Sequence, residues 1–436
     1  MRKRQRRWLA ISLLAVVVGF AVSTTSSSTA AGTSSGTPTA AAAAAANGGL
    51  GSRSVTNFLK YVDGKAGKAN PAKAPVYVGL VNQQGGPIVI GADATLGAQL
   101  AVKYDNAALG GIDGHPVVLK TCFIASAEEE GTTCGQQFLA QKGLSVIDEG
   151  GVAIGIQSLY GTLGGAKPVI AGVAITPVDP AQKNAVILYG DATHVLGPFG
   201  TYAKKVLHAK TAALIYENEA GITTGAMAIA ASLKKEGITV KEVGYDPTQT
   251  DLIAPLTSAG AATADVVFPD TDAAGCVNMA KALAQLNITT AKKIVAPPLC
   301  LNSQVLTALG DFPQWTYAIA SSLFGDATDP GIAPYLKVSK TYGDAAGAPD
   351  PWNIVNFGTM LTTIRFLNQL GYGHITPKAV LAKAKAFKGP VALGAPSLSC
   401  GKYRSAPAVC NDRAQFFTYA GKNAFTKSAG WLEPPK

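Results

Sequence analysis

Histidine is nearly missing from this chain, with 4 copies in 436 residues, and the scarcity removes much metal and general-base chemistry at the outset. His115, His194, His208 and His374 each stand alone. No Cys-x-x-Cys, no His-Glu-x-x-His, no Gly-x-Ser-x-Gly elbow and no Walker loop occurs. A zinc site, a hydrolase nucleophile of that type and a nucleotide-hydrolysing loop therefore lack their signatures. Gly150 to Gly155 is glycine-rich but does not have dinucleotide-binding spacing. Charged residues make up only 15% of the chain, and the 27 carboxylates form no pair that helical spacing forces together. No cofactor, no metal and no enzymatic activity is expected. An extracellular hydrolase whose groups converge from distant loops would draw first on His194, Glu219 and Asp272.

The formal charge of +10 points toward nucleic acid until it is mapped. Five units come from Arg2, Lys3, Arg4, Arg6 and Arg7. Four more come from Arg53, Lys60, Lys65, Lys68 and Lys73 less Asp63, which leaves +1 for residues 75–436. The folded part therefore has no polyanion footprint, and no nucleic-acid partner is expected.

What is present begins with an export signal. The basic cluster precedes Trp8 to Val22, apolar apart from Ser12 and short for a spanning helix. Residues 1–23 read as a signal peptide, with Ala21-Val22-Ser23 a cleavage site. The alternative is an uncleaved anchor, the one way this chain would touch a membrane. Either reading places the body outside the cytoplasm: periplasmic, cell-wall-associated or secreted. Six cysteines in an exported chain favour disulfides, and neighbours in sequence suggest Cys122–Cys134, Cys276–Cys300 and Cys400–Cys410.

Residues 24–74 read as a low-complexity spacer followed by a basic segment with room for one short helix, and compact structure is expected from Pro75. From there β-branched runs alternate with stretches of helical period. Val76 to Val81, Val117 to Cys122, Ser145 to Ile147, Val169 to Ala171 and Val186 to Tyr189 read as strands. The pattern restarts after a helix over His194 to Leu207, with strands at Ala212 to Tyr216, Val240 to Tyr245, Val266 to Phe268 and Ile294 to Ala296. Trp315 to Ala320 is extended, Asn353 to Leu370 is a long helix, and Gln415 to Tyr419 is an amphipathic strand. Alternation of this kind argues for an α/β chain with parallel sheets covered by helices on both faces, in two lobes.

Gly97 to Cys122, GAQLAVKYDNAALGGIDGHPVVLKTC, is the most specific stretch. Asn106 and Gly110-Gly111 can end its helix, and Gly114 with Pro116 sets the turn into the next strand. This stretch resembles the branched-chain amino acid (Leu/Ile/Val) binding protein family of ABC transporters. Val76 to Gly86, Ala212 to Gly225 and Asn353 to Gly371 are similar to that family's first strand and loop, second-lobe start and late helix. The resemblance implies the type I periplasmic-binding fold, two Rossmann-like lobes joined by a three-segment hinge. Lobe one is expected over 75–189 plus 325–395, and lobe two over 190–324 plus 410–436.

Ligands of open parallel sheets sit beyond the carboxyl ends of the strands. That rule nominates Gln83 and Gln84, Gly151 and Val152, Ala174 and Thr176 in the first lobe. In the second it nominates Glu219 and Ala220, Asp270 and Asp272, and Pro298. The resemblance implies a small-molecule ligand, amino-acid-, amide- or carboxylate-like, delivered to an ABC permease. The alternative is a ligand-sensing receptor component. One departure is visible: of the hydroxyls that such a family places around a ligand carboxylate, only Thr176 remains.

Overall fold

The computed structural model describes residues 54–86, 91–288, 290, 293–343 and 350–436. The expected signal peptide and the spacer up to residue 53 lie outside the described residues. Packing begins earlier than Pro75, where it was expected. Val55, Phe58, Tyr61 and Val62 are buried, and Phe58–Tyr61 forms a short helix, α1, capped by the Asn57 side chain. Phe58 meets Phe357 edge-on at 5.5 Å, and the Tyr61 hydroxyl shares a hydrogen bond with Thr362 Oγ1 at 2.8 Å. The lysines and glycines around these few apolar residues obscure their pattern in the sequence.

The first lobe is one sheet of five parallel strands: β1 (Val76–Gln83), β2 (Val117–Ile124), β3 (Leu144–Glu149), β4 (Val169–Ala174) and β5 (Ala185–Asp191), in the order β2-β1-β3-β4-β5. Strand alternation sends Val78, Leu80, Ile170 and Leu188 to one apolar cluster, and Val81, Ile147, Ala171 and Ile187 to another. Helix α2 (Ala92–Ala108) lies in the first cluster; α3 (Glu128–Ala140) and α4 (Ile156–Leu163) lie in the second. The late helix α11 (Pro351–Leu370) is buried almost all round. It approaches α2 so closely that a Cβ at Gly97 would fall 2.3 Å from the Asn353 carbonyl oxygen. Helix α12 (Pro377–Ala386) completes this side.

The second lobe contains β6 (Thr211–Glu217), β7 (Thr239–Tyr245) and β8 (Val266–Asp270), parallel in the order β7-β6-β8. A parallel bridge from Val267 to Ile294 continues it into β9 (Val295–Ala296) and β10 (Thr316–Ile319). Strands β11 (Ala414–Tyr419) and β12 (Phe425–Leu432) then close the sheet antiparallel. Helices α5 (Pro198–Lys205), α6 (Ala220–Lys235), α7 (Ile253–Ser258), α8 (Ala273–Gln285) and α9 (Ser303–Leu309) cover the two faces. The helix expected from His194 starts at Pro198 because proline favours the first helical position. Of the Gln415 to Tyr419 strand, all but Thr418 is buried rather than half-exposed.

Three segments cross between the lobes. Residues 192–197 lead from β5 to α5. Residues 320–331 lead from β10 to α10 (Ile332–Tyr342), whose Ile332, Tyr335 and Val338 pack in the first lobe. Residues 389–413 lead back to β11, whose Gln415 pairs with Ile319 at the end of β10. The return crossing is tied to β5 and to the second crossing. Cys410 N donates to the Ile187 carbonyl at 3.1 Å, Ser322 N to Leu393 at 2.7 Å, and Asn411 Nδ2 to Tyr189 at 2.8 Å. Each crossing joins the carboxyl ends of the parallel strands, so the tips of both sheets border the same gap. The cysteines pair as neighbours: Cys122 with Cys134, Cys276 with Cys300, and Cys400 with Cys410.

Candidate functional site

In the first lobe the tip residues turn inward. Gln83 and Asn82 are fully buried although they end a strand. Gln83, expected at the ligand, accepts the backbone N–H groups of Ala153 (2.7 Å) and Ile154 (3.3 Å) through Oε1, and so holds the loop after β3. Asn82 Nδ2 donates to the Gly91 carbonyl and Thr95 Oγ1, both at 2.9 Å, and Thr95 in turn donates to Gln84 Oε1 at 2.8 Å. Gly151 accepts Gln83 N, Val152 is buried, and Ala174 accepts the hinge residue Ala192 at 3.2 Å. Gly150 admits no side chain, since a Cβ there would lie 2.9 Å from the Asn82 side chain.

Beneath this rim lies an acidic group that sequence reasoning did not single out. Glu149 and Asp179 are fully buried side by side, with Tyr160 against Asp179. Burial, and then the Asp179 charge, holds the Glu149 carboxyl well above its usual range. Thr176 Oγ1, an expected ligand contact, donates to Asp179 Oδ2 at 2.9 Å. Burial raises the Asp179 carboxyl as well, so both acids of the pair are pushed toward their protonated forms. Glu149 and Asp148 end an apolar strand, and that position was the available signal.

The loop starts around this lobe are closed by the chain's own acids. Glu130 Oε2 accepts the N–H groups of Ala125, Ser126 and Ala127 at 2.8–2.9 Å. Those bonds hold its carboxyl below the usual range. Glu128 reaches across to Gly155 N at 2.7 Å and Ser158 N at 2.9 Å, plugging the start of α4.

In the second lobe the tips present acids outward. Glu219 is exposed at the N-cap of α6, which Ala220 opens. Asp272 is half-buried, and its Oδ1 accepts Gly275 N at 2.6 Å at the start of α8. Glu217 Oε2 accepts Thr271 Oγ1 at 2.9 Å and Asp272 N at 3.1 Å, and Tyr245 donates to Thr271 behind them. Asp270 is 2% exposed, its Oδ2 has no partner among the described residues, and burial followed by the Glu217 charge pushes its carboxyl up to about 8. Pro298 is half-buried at a turn beside Leu299, which is exposed. Among the described residues no hydrogen bond joins the tip loops of one lobe to those of the other. His194 sits in the first crossing, with Nδ1 2.7 Å from Asp191 Oδ1 and its ring against Tyr403.

Two separately wound sheets, tip to tip across three crossings, define the class of two-lobed solute-binding proteins of type I periplasmic-binding fold. The chain belongs to the periplasmic binding protein family, whose model matches residues 75–404. Among solved structures it is similar to the branched-chain amino acid transporter substrate binding protein LivJ from Streptococcus pneumoniae, crystallised with isoleucine. The identity is 16% over 83% of this chain and 100% of that one, with a TM-score of 0.66. A solute binding protein from R. palustris in complex with benzoate is 14% identical over 83% of this chain and 98% of that one, TM-score 0.63. A fatty acid ABC transporter substrate-binding protein from Thermomonospora curvata is 13% identical over 85% and 95%, TM-score 0.66. Likeness at this identity carries the fold and not the ligand. None of the curated proteins matches by sequence. The family implies a place outside the cytoplasm, and among the described residues no helix is long and apolar enough to cross a membrane.

Proposed function

We propose that this chain captures a small polar or amphipathic molecule between its lobes, without transforming it, and delivers it to an ABC permease. The observation that carries the reading is the placement of all three crossings at the carboxyl ends of both sheets. A rotation about those crossings brings the tips together over a solute and leaves both cores intact. Selectivity then comes from the rim of the first lobe (Gln84, Gly151, Val152, Ala174, Thr176) and the acids of the second (Glu219, Asp270, Asp272). The closed form is what a permease would recognise, since a ligand shifts the population toward the state it binds better.

The test is a thermal-shift screen of the full chain against amino acids, amides, amines and short acids, followed by small-angle scattering of each hit. A ligand at a hundred times its dissociation constant stabilises by about 2.7 kcal/mol, so micromolar binders register. Compaction of the scattering curve on binding is expected. A hit that leaves the scattering unchanged, or an adequate panel with no hit, would remove the capture mechanism.

A further inference from the structure

We infer that Arg413 straps the two lobes together at the hinge and holds the gap open in the solute-free chain. The inference rests on the capture reading above and adds what sets the resting angle of the hinge.

Arg413 is the last residue of the return crossing, directly before β11. Its guanidinium reaches in two directions. Nη1 donates to the Ser397 hydroxyl at 2.6 Å and to the Ser397 carbonyl at 3.1 Å. Nε and Nη2 donate to Glu433 Oε1 at 3.2 and 3.0 Å. The two partners are anchored in different lobes. Ser397 lies between Ala395 and Leu398, both buried in an apolar cluster of the first lobe. Glu433 follows Leu432, which is buried in a cluster of the second. The Glu433 carbonyl also accepts Thr201 Oγ1 of α5 at 2.8 Å.

The neighbouring acid does not draw the guanidinium away. Asp412 is held by Lys402 and by the Tyr403 hydroxyl, the latter at 2.6 Å. A second contact between the lobes lies close by, where Trp431 of β12 is buried in the first-lobe cluster. Apolar packing of that kind is non-directional and tolerates sliding. A planar fork bonded on two sides fixes orientation as well as distance. Rotation that brings the strand tips together carries Ser397 with the first lobe and Glu433 with the second, and parts one side of the fork from its partner. Among the described residues no hydrogen bond joins the tip loops of the two lobes, so the strap belongs to the form whose gap is unbridged.

The consequence is a bias on the hinge. An empty chain that closed by itself would show a permease the form meant for a loaded one. The strap keeps that population low, and the apparent dissociation constant of a solute rises as the closed fraction falls. The Arg413 side chain is 18% exposed and that of Glu433 47%. Salt therefore reaches the pair and weakens it.

Small-angle scattering of the solute-free full chain tests this, at low and at high sodium chloride, for the parent, Glu433→Ala and Arg413→Lys. Lysine keeps the charge but has no fork to engage both partners. Both variants are expected to compact without solute at low salt, where the parent stays extended, and the difference is expected to shrink at high salt. A solute found by the thermal-shift screen should bind Glu433→Ala up to about fivefold more tightly than the parent. If Arg413→Lys does not fold, Glu433→Ala decides alone, since its side chain is half exposed. Low-salt scattering that is the same in parent and variants overturns the strap and leaves capture standing. So does a solute that binds Glu433→Ala no more tightly. Compaction of the variants, with no solute that compacts the parent, upholds the strap and removes capture.

Discussion

The strand tips of the first lobe use their polar groups on one another, whereas those of the second leave theirs at the rim. Gln83, Asn82, Thr176 and Glu128 all bond within their own lobe, and beside Gln84 and Ser126 the described edge is largely glycine, alanine, valine and isoleucine. Across the gap, Glu219 and Asp272 keep carboxylate oxygens toward water. The first lobe is thus a preformed, largely apolar wall, and the second supplies the charge. Buried polar groups must be satisfied, so the inward set serves shape. The outward set is free to serve recognition.

The comparison is broken most severely by adding one methyl group. A Cβ at Gly131 in α3 would stand 1.8 Å from the Gly155 carbonyl oxygen, and backbone on both sides would have to separate. Gly131→Ala is expected to destabilise by about 3 kcal/mol, read as a lower denaturant midpoint, because it forces apart the Glu128 clasp. A loss below ~1 kcal/mol would mean that the first-lobe tips are not tightly set.

Next in size is the loss of an inward amide. Gln83→Leu removes the acceptor of two buried N–H groups, but it also removes Nε2, which is buried without a partner. The two effects oppose, and a net cost of roughly 1–2 kcal/mol is expected by chemical denaturation. A neutral or stabilising result would place the Gln83 side chain outside the loop that it holds here.

Much of this was legible in the sequence and some could not be. Alternation of apolar runs gave both sheets, and the turn residues of Gly97 to Cys122 marked the first crossover. The direction of Gln83 was not readable. A central parallel strand is covered on both faces, so period two carries no information about which polar tip residue faces the gap. Strand β12 was hidden because Thr426, Lys427 and Ser428 interrupt its apolar ends, and Lys427 is held by an ion pair to the buried Asp326 at 2.7 Å. The acids Glu128 and Glu130 read as an ordinary charged first turn. Their reach to other loops is a tertiary fact.

A response that the two lobes share comes third. Asp148 in the first lobe and Asp270 in the second are both pushed up to about 8 by burial. Unfolded, each ionises near 4. Between those values the native state holds a proton that the unfolded chain has released, so stability is full below about 4 and falls as pH rises toward about 8. Each group contributes a slope of up to about 1.4 kcal/mol per pH unit. Glu128 and Glu130, whose carboxyls are held low, act oppositely and lose their contribution below the usual carboxylate range. Melting temperature should therefore peak in mild acid. Asp148→Asn and Asp270→Asn should each flatten the fall above the peak, and a fall that neither substitution alters would assign it to other groups.

The smallest expected effect is the most discriminating, because it asks whether the second-lobe rim bears structural load. Glu219 is exposed and makes no side-chain cap bond to α6. A Cβ on Gly221 meets nothing within 4 Å. Glu219→Gln and Gly221→Ala should each lie within ~0.5 kcal/mol of the parent in unfolding free energy. Gly131→Ala and Gln83→Leu, one sheet away, should not. If Glu219→Gln costs as much as Gln83→Leu, the second-lobe acids are holding the fold as the first-lobe amides do, and the contrast between a shaping wall and a charged rim disappears. If its stability is unchanged while solute binding weakens, the side chain acts on the solute alone.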